Sequence, residues 1–172
     1  MNERTQATAE RLLQQAALIE QSIPELDALC REAEPAAKRL AASSGDLITV
    51  MGCGGLLHGF YSALETLMRD VADSLNGGVP HGESWHARLL DHLSVDVPGV
   101  RPRLFSPDVR DRLDEFRGFR HVYRHLYVFN LKPARVLDLL TRLGPLWDEL
   151  KPQLAAFAAT LKEIAAGLTK DG

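Results

Sequence analysis

Two long apolar seams bracket this chain and limit what it can become. In residues 2–42, Leu12, Ala16, Ile19, Ile23, Leu26, Cys30, Ala33, Ala37 and Leu40 recur with 4-3 spacing. In residues 133–168 the spacing returns at Val136, Leu140, Leu143, Trp147, Leu150, Leu154, Phe157, Leu161, Ile164 and Leu168. Helical side chains three and four apart share a face, so each stretch reads as a helix that must bury one stripe against another helix. Antiparallel packing of the two terminal segments on each other is the expected outcome. No stretch alternates with period 2 for long enough to make a strand. The expected fold is therefore all-α, an up-and-down bundle of about five helices with long helices at both termini. Pro24 and Pro35 interrupt the first seam, and a proline inside a helix removes a hydrogen bond and kinks or breaks it. The continuous seam favours kinks within one helix over residues 2–42. Gly144-Pro145 and Pro152 break or bend the last segment in the same way.

The 172 residues accommodate one domain, spanning 1–172. A net charge of −3 gives no global hint of nucleic acid, so any such function must rest on local clustering. Cys30 and Cys53 lie in apolar helical contexts and read as reduced core thiols. No uninterrupted apolar run reaches the length of a membrane span, and the N-terminus lacks the pattern of a signal peptide. A cytoplasmic protein without membrane contact is expected.

Between the seams, residues 46–75 read as a helix capped by Asp46. Gly52, Gly54, Gly55 and Gly59 fall in its first half, each costing about 1 kcal/mol relative to alanine. Gly52, Gly55 and Gly59 share a face and read as a close helix–helix approach, with the floor of a cleft as the alternative. Leu57, Phe60, Leu64, Leu67 and Val71 form its core stripe. A turn-rich loop leads to a short helix over 83–93, whose buried face is marked by Trp85, Leu89 and Leu93. Glu83-x-x-His86 matches half of a di-iron bundle motif, but no second Glu-x-x-His exists to complete it. No metal and no cofactor are expected. A connector over 94–105 carries Arg101 and Arg103. Ser106-Pro107 then supplies an N-cap and a first-turn proline for a helix from 107 to about 127.

That helix carries the chemistry. Arg117-Gly-Phe-Arg-His-Val-Tyr-Arg-His-Leu-Tyr127 holds three arginines, two histidines and two tyrosines, with no carboxylate after Glu115. At about 100° per residue it divides into two arcs. Phe116, Phe119, Val122, Tyr123, Leu126 and Phe129 form an apolar arc that reads as core. Arg117, Arg120, His121, Arg124, His125 and Tyr127 form a basic face. The bland account is a solvated face, since basic groups near a helix C-terminus are favoured by roughly 0.3–1 kcal/mol each. Against it stands the absence of acids on that face. Arginine with histidine is also the minimal equipment for phosphodiester chemistry without a metal. Imidazole can take a proton from a ribose 2′-hydroxyl, and a guanidinium can stabilise charge on phosphate oxygens.

The Arg120-x4-His125-x-Tyr127 pattern resembles the signature of the HEPN superfamily, in particular the HepT-like ribonuclease toxins of bacteria. Leu57-His-Gly-Phe-Tyr61, Gly82-Glu-Ser-Trp-His86 with Leu89-Leu90, and Pro98-Gly-Val-Arg-Pro102 extend the resemblance over a motif-bearing core of about 46–147. The resemblance implies a homodimer whose motif helices face one another across a joint cleft. It implies metal-independent endoribonuclease activity with Arg120 and His125 as catalytic residues, used as the toxin of a toxin–antitoxin pair. The implied partner is a minimal nucleotidyltransferase antitoxin that silences the toxin by attaching AMP to Tyr127. Such a nucleotide would compete with substrate phosphate for Arg120 and Arg124. Arg124 reads as an RNA phosphate contact, Arg117 as an extension of the basic track, and His121 as a flanking residue without an assigned role.

Arg120 and His125 are five apart, about 140° around an ideal helix. They cannot meet at one phosphate within one straight helix, so the assignment requires a dimer or a distortion near residue 125. The competing reading is a non-catalytic HEPN helical module that binds a nucleotidyltransferase or nucleotide through the same groove. A bundle metal protein is a third and weaker alternative.

Overall fold

The computed structural model describes residues 3–43, 45–75, 77–125 and 131–170. Among them are six helices: α1 (Glu3–Arg31), α2 (Ala33–Ala42), α3 (Leu47–Leu75), α4 (Trp85–Leu93), α5 (Pro107–His125) and α6 (Pro133–Lys170). The all-α bundle is as expected, with one difference at the start. The first segment is two helices, not one kinked helix. α1 carries Pro24 through without ending, but the chain breaks at Glu32, three residues before Pro35. The ring of Pro35 crowds the carbonyl four residues back, and the chain tightens there: Glu32 N–H turns back to Leu29 O at 3.2 Å. The helical bond resumes at Ala36 N–H to Glu32 O, 3.0 Å. Pro145 and Pro152, by contrast, both lie inside an uninterrupted α6.

The terminal helices pack on each other along the seams. Ala16 and Ile19 of α1 and Leu150, Leu154 and Leu161 of α6 are fully buried. The polar pairs show the direction: Asp27 accepts from Trp147 Nε1 at 2.8 Å and Lys151 Nζ at 2.7 Å, while Glu20 accepts from Lys162 Nζ at 2.6 Å. Rising number in one helix meets falling number in the other, so the two run antiparallel.

α3 lies at the centre and packs against every other helix. Asp46 caps it as expected, accepting from Thr49 N–H at 3.1 Å. One stretch of α3 is long and apolar enough to cross a membrane by length and composition alone. Its Phe60, Leu64, Met68 and Val71 are instead sealed inside the bundle, as the core helix of a globular domain requires. Ser106 caps α5, accepting from Val109 N–H at 3.3 Å, with Pro107 at the first helical position. In the connector, the buried Arg101 donates to the carbonyls of His92, Val95 and Pro102 at 2.7–3.1 Å, bracing the chain between α4 and α5.

α5 is fastened to α6 by a carboxylate–guanidinium fork. Arg142 donates to both oxygens of Glu115 at 2.7 Å, and Arg135 adds a third bond at 3.1 Å. The Arg142 hydrogen bond, with Arg135 assisting, holds the Glu115 carboxyl down at about 2, against an ordinary 4.5. A carboxyl depressed in the folded state stabilises the fold above its unfolded value and loses that contribution as pH falls through the folded one. The expected window is therefore pH 4.5 down to 2. Solvent screening keeps the effect modest, because Glu115 is 39% exposed. Thermal melts across this window should fall less steeply for Glu115→Gln than for the parent protein.

Candidate functional site

α5 positions the site. Phe116 and Phe119 are buried, as the apolar arc requires. Phe119 stacks against Tyr123, ring centroids 5.9 Å apart. Val122 departs from expectation: it is 48% exposed. Leu126, Tyr127 and Phe129 lie outside the described residues.

The glycines of α3 do receive a neighbour, but of the three expected to share it only Gly55 takes part, beside Gly54. Gly52 and Gly59 have no atom within 4 Å of a notional Cβ. The close approach is at Gly54, where a Cβ would lie 2.8 Å from Tyr123 Cε2, and at Gly55, 3.4 Å from its hydroxyl. The Tyr123 ring thus lies in a slot that only glycine leaves open. Its hydroxyl donates to Met51 O at 3.3 Å, and its face stacks on His58 with centroids 5.1 Å apart.

One helical turn along, Arg120 reaches the same face of α3. Its Nε donates to Ser62 Oγ at 3.3 Å, and its Nη2 lies 3.2 Å from Glu65 Oε1. The other oxygen of Glu65 is 2.9 Å from His86 Nδ1, contributed by α4. The basic face is therefore not free of acids. α3 supplies Glu65 to Arg120, and Asp114, one turn earlier on α5 itself, pairs with Arg117 at 2.7 Å. Asp114 raises the Arg117 pKa through that hydrogen bond, so Arg117 is held back along its own helix.

A carboxylate oxygen can only accept, so Glu65 fixes the Nδ1–H tautomer of His86. Burial pushes the His86 imidazole below its ordinary pKa, with Glu65 pulling the other way. The ring also stacks on Trp85 at 3.6 Å between centroids. Trp85 is only half-buried, with the Arg69 guanidinium carbon 5.6 Å from its ring centre. Leu89 and Leu93, not Trp85, form the sealed face of α4. His58 is lowered too, by burial first and then by the charges of Arg120 and Arg124. Its buried Nδ1 has no hydrogen-bond partner among the described residues.

The remaining candidates lie at the outer end of α5. His121, Arg124 and His125 are exposed. His125 Nδ1 lies 2.8 Å from His121 O, and the two imidazole rings are 4.6 Å apart. α5 is regular through His125, so no distortion up to that residue brings it round to Arg120. Arg120 faces inward onto α3, and His125 faces solvent.

His58, Ser62 and Glu65 were not among the expected site residues. Their signal was present: polar groups at i, i+4 and i+7 on an otherwise apolar helix. His86 stood out in the sequence as half a metal motif, and its partner proves to be Glu65 rather than a metal set. Among the described residues, no three His, Cys, Asp or Glu side chains come together as metal ligands would. A separate cavity of about 410 Å³, bounded by Leu75, His92, Val95, Val97, Val100 and Arg101, shares no residue with this site.

The all-α bundle, with its arginine-bearing helix against a polar face of the central helix, is consistent with the HEPN class. The family profile described as HepT-like protein matches residues 52–161. The chain belongs to the HepT-like proteins. Comparisons with curated proteins and with solved structures each returned no match.

Proposed function

We propose that this HepT-like protein is a metal-independent endoribonuclease, the toxin of a bacterial toxin–antitoxin pair acting in the cytoplasm. His125 takes the proton of a ribose 2′-hydroxyl. The oxygen attacks the adjacent phosphorus, Arg120 stabilises the charge on the phosphorane-like transition state, and the P–O5′ bond breaks, the 5′-oxygen taking a proton from water as it leaves. The product strand ends in a cyclic phosphate. Arg124 contacts substrate phosphate.

The observation that carries the reading is the placement of the motif pair. Arg120 lies inward on α3 and His125 outward at the end of α5. One chain does not bring both to one phosphate, but two chains facing across their α5 ends supply Arg120 from one and His125 from the other. The active form is thus a homodimer. AMP on Tyr127, attached by a nucleotidyltransferase partner, would compete with substrate phosphate for Arg120 and Arg124. A second reading is supported by the Arg120–Glu65 ion pair, which neutralises the motif arginine. On that reading the groove binds a nucleotidyltransferase or nucleotide and cleaves nothing.

Incubation of the purified protein with RNA in excess chelator tests the choice. Fragments bearing 2′,3′-cyclic phosphate are expected, and intact RNA from a dimeric, unmodified preparation favours the binding module. The intact mass of protein made with its nucleotidyltransferase partner should rise by one or more AMP units mapped to Tyr127.

A further inference from the structure

We infer that Glu65 is the positioning residue of this site: a buried carboxylate that fixes the plane of the Arg120 guanidinium toward substrate phosphate, with Ser62 as second anchor and His86 holding the carboxylate from behind. The inference rests on the ribonuclease reading and adds what aims its arginine.

The side chain of Glu65 is 5% exposed, on a helix whose neighbouring positions Leu64, Leu67 and Met68 are apolar and sealed. A carboxylate there is expensive unless paired, and both of its oxygens are paired, one to α5 and one to α4. Stability alone gives no reason for this arrangement, because the desolvation of a buried ion pair offsets most of its attraction. Apolar side chains of similar size would hold α3, α4 and α5 together as well. What the pair does supply is orientation. Arginine presents five N–H donors in a rigid plane. Glu65 and Ser62 engage Nη2 and Nε, which fixes the plane and one edge. The rest of the fork is left pointing where two fixed bonds dictate. A lysine could not be held in this way, since its ammonium has no plane to fix. His86 in turn stops the carboxylate rotating, and its own ring is pinned by stacking on Trp85.

The same contacts admit an opposite role, in which Glu65 competes with phosphate and restrains Arg120. The two roles predict opposite signs. Glu65→Gln keeps the volume and one acceptor while removing the charge. If Glu65 positions Arg120, kcat on a short oligoribonucleotide should fall about ten- to hundredfold, the range that misplacing a catalytic group produces. KM should move little, because an interaction made in the transition state is what is lost. The Arg120 Nε–H resonance should stand apart in the parent protein and merge with those of exposed arginines in the variant. Ser62→Ala removes one acceptor from a half-buried site. It should lower kcat severalfold with an unchanged melt, and it decides the matter if Glu65→Gln does not fold. Parent-level or higher kcat in Glu65→Gln, or in Ser62→Ala if that variant has to decide, overturns the positioning role while leaving the ribonuclease reading intact. Absence of cleavage by the parent protein removes both.

Discussion

His125→Ala should abolish RNA cleavage and leave the fold untouched. Loss of a general base reduces rate by about 10²–10⁴-fold. The imidazole is exposed, and its contacts among the described residues are His121 O at 2.8 Å and the His121 ring. It fills no core position, so the thermal midpoint should stay within a degree or two of the parent, as exposed substitutions do. Growth arrest on expression should disappear with the activity. The same variant tests the composite cleft. Arg120→Ala and His125→Ala proteins are each inactive alone. Mixed and allowed to exchange subunits, they assemble one complete site per mixed dimer, and part of the activity returns. Full cleavage by clean His125→Ala protein would falsify the catalytic assignment. Failure of the mixture to recover, with exchange demonstrated, overturns the site built from two chains.

Gly54→Val should be the most damaging small change in the site. Replacing a helical glycine with alanine ordinarily gains up to about 1 kcal/mol. At Gly54 that gain is outweighed. The new Cβ would lie 2.8 Å from Tyr123 Cε2 and 3.4 Å from Leu131 Cδ1, before the two methyl groups of valine are added. Overpacking of this kind costs roughly 1–3 kcal/mol. The ring must leave its slot, breaking the hydroxyl contact to Met51 O and the stack on His58. Because Tyr123 lies between Arg120 and His125 on α5, cleavage should fall together with stability. Gly52→Ala is the control with the opposite sign. Nothing stands within 4 Å of its Cβ position, so the melt should rise by the propensity gain. Equal effects at Gly52 and Gly54 would show that the slot does not hold the ring.

Period and capping made the scaffold legible. The 4-3 seams located α1 and α6 and their antiparallel partnership, and Asp46 and Ser106 marked two helix starts through a chemistry local to each. The split before Pro35 was not legible, because the seam continues across it and a seam reports only which face is buried. The glycine face was read from helical phase, which shows which residues lie together and not where a second helix crosses. Tyr123 crosses at Gly54 and reaches only Gly55 of the three glycines that share the expected face. Arg120 and His125 were readable as a motif. Glu65 was not, because it lies 55 positions before Arg120. A pair at that separation leaves no periodic trace, because the acid that meets Arg120 comes from another helix.

The antiparallel clasp of α1 and α6 has a consequence for how this chain can change over generations. Every residue assigned to the chemistry lies between Gly54 and Tyr127 in the sequence, outside α1 and α6. Changes along α1 and α6 that keep the seam apolar alter the margin of stability without touching an acid, a base or a phosphate contact. The outer helices can drift in sequence, and small losses inside, such as those the polar site imposes on α3, can be compensated outside. Relatives of this protein should therefore diverge fastest at their ends and hold longest along the inner faces of α3 and α5.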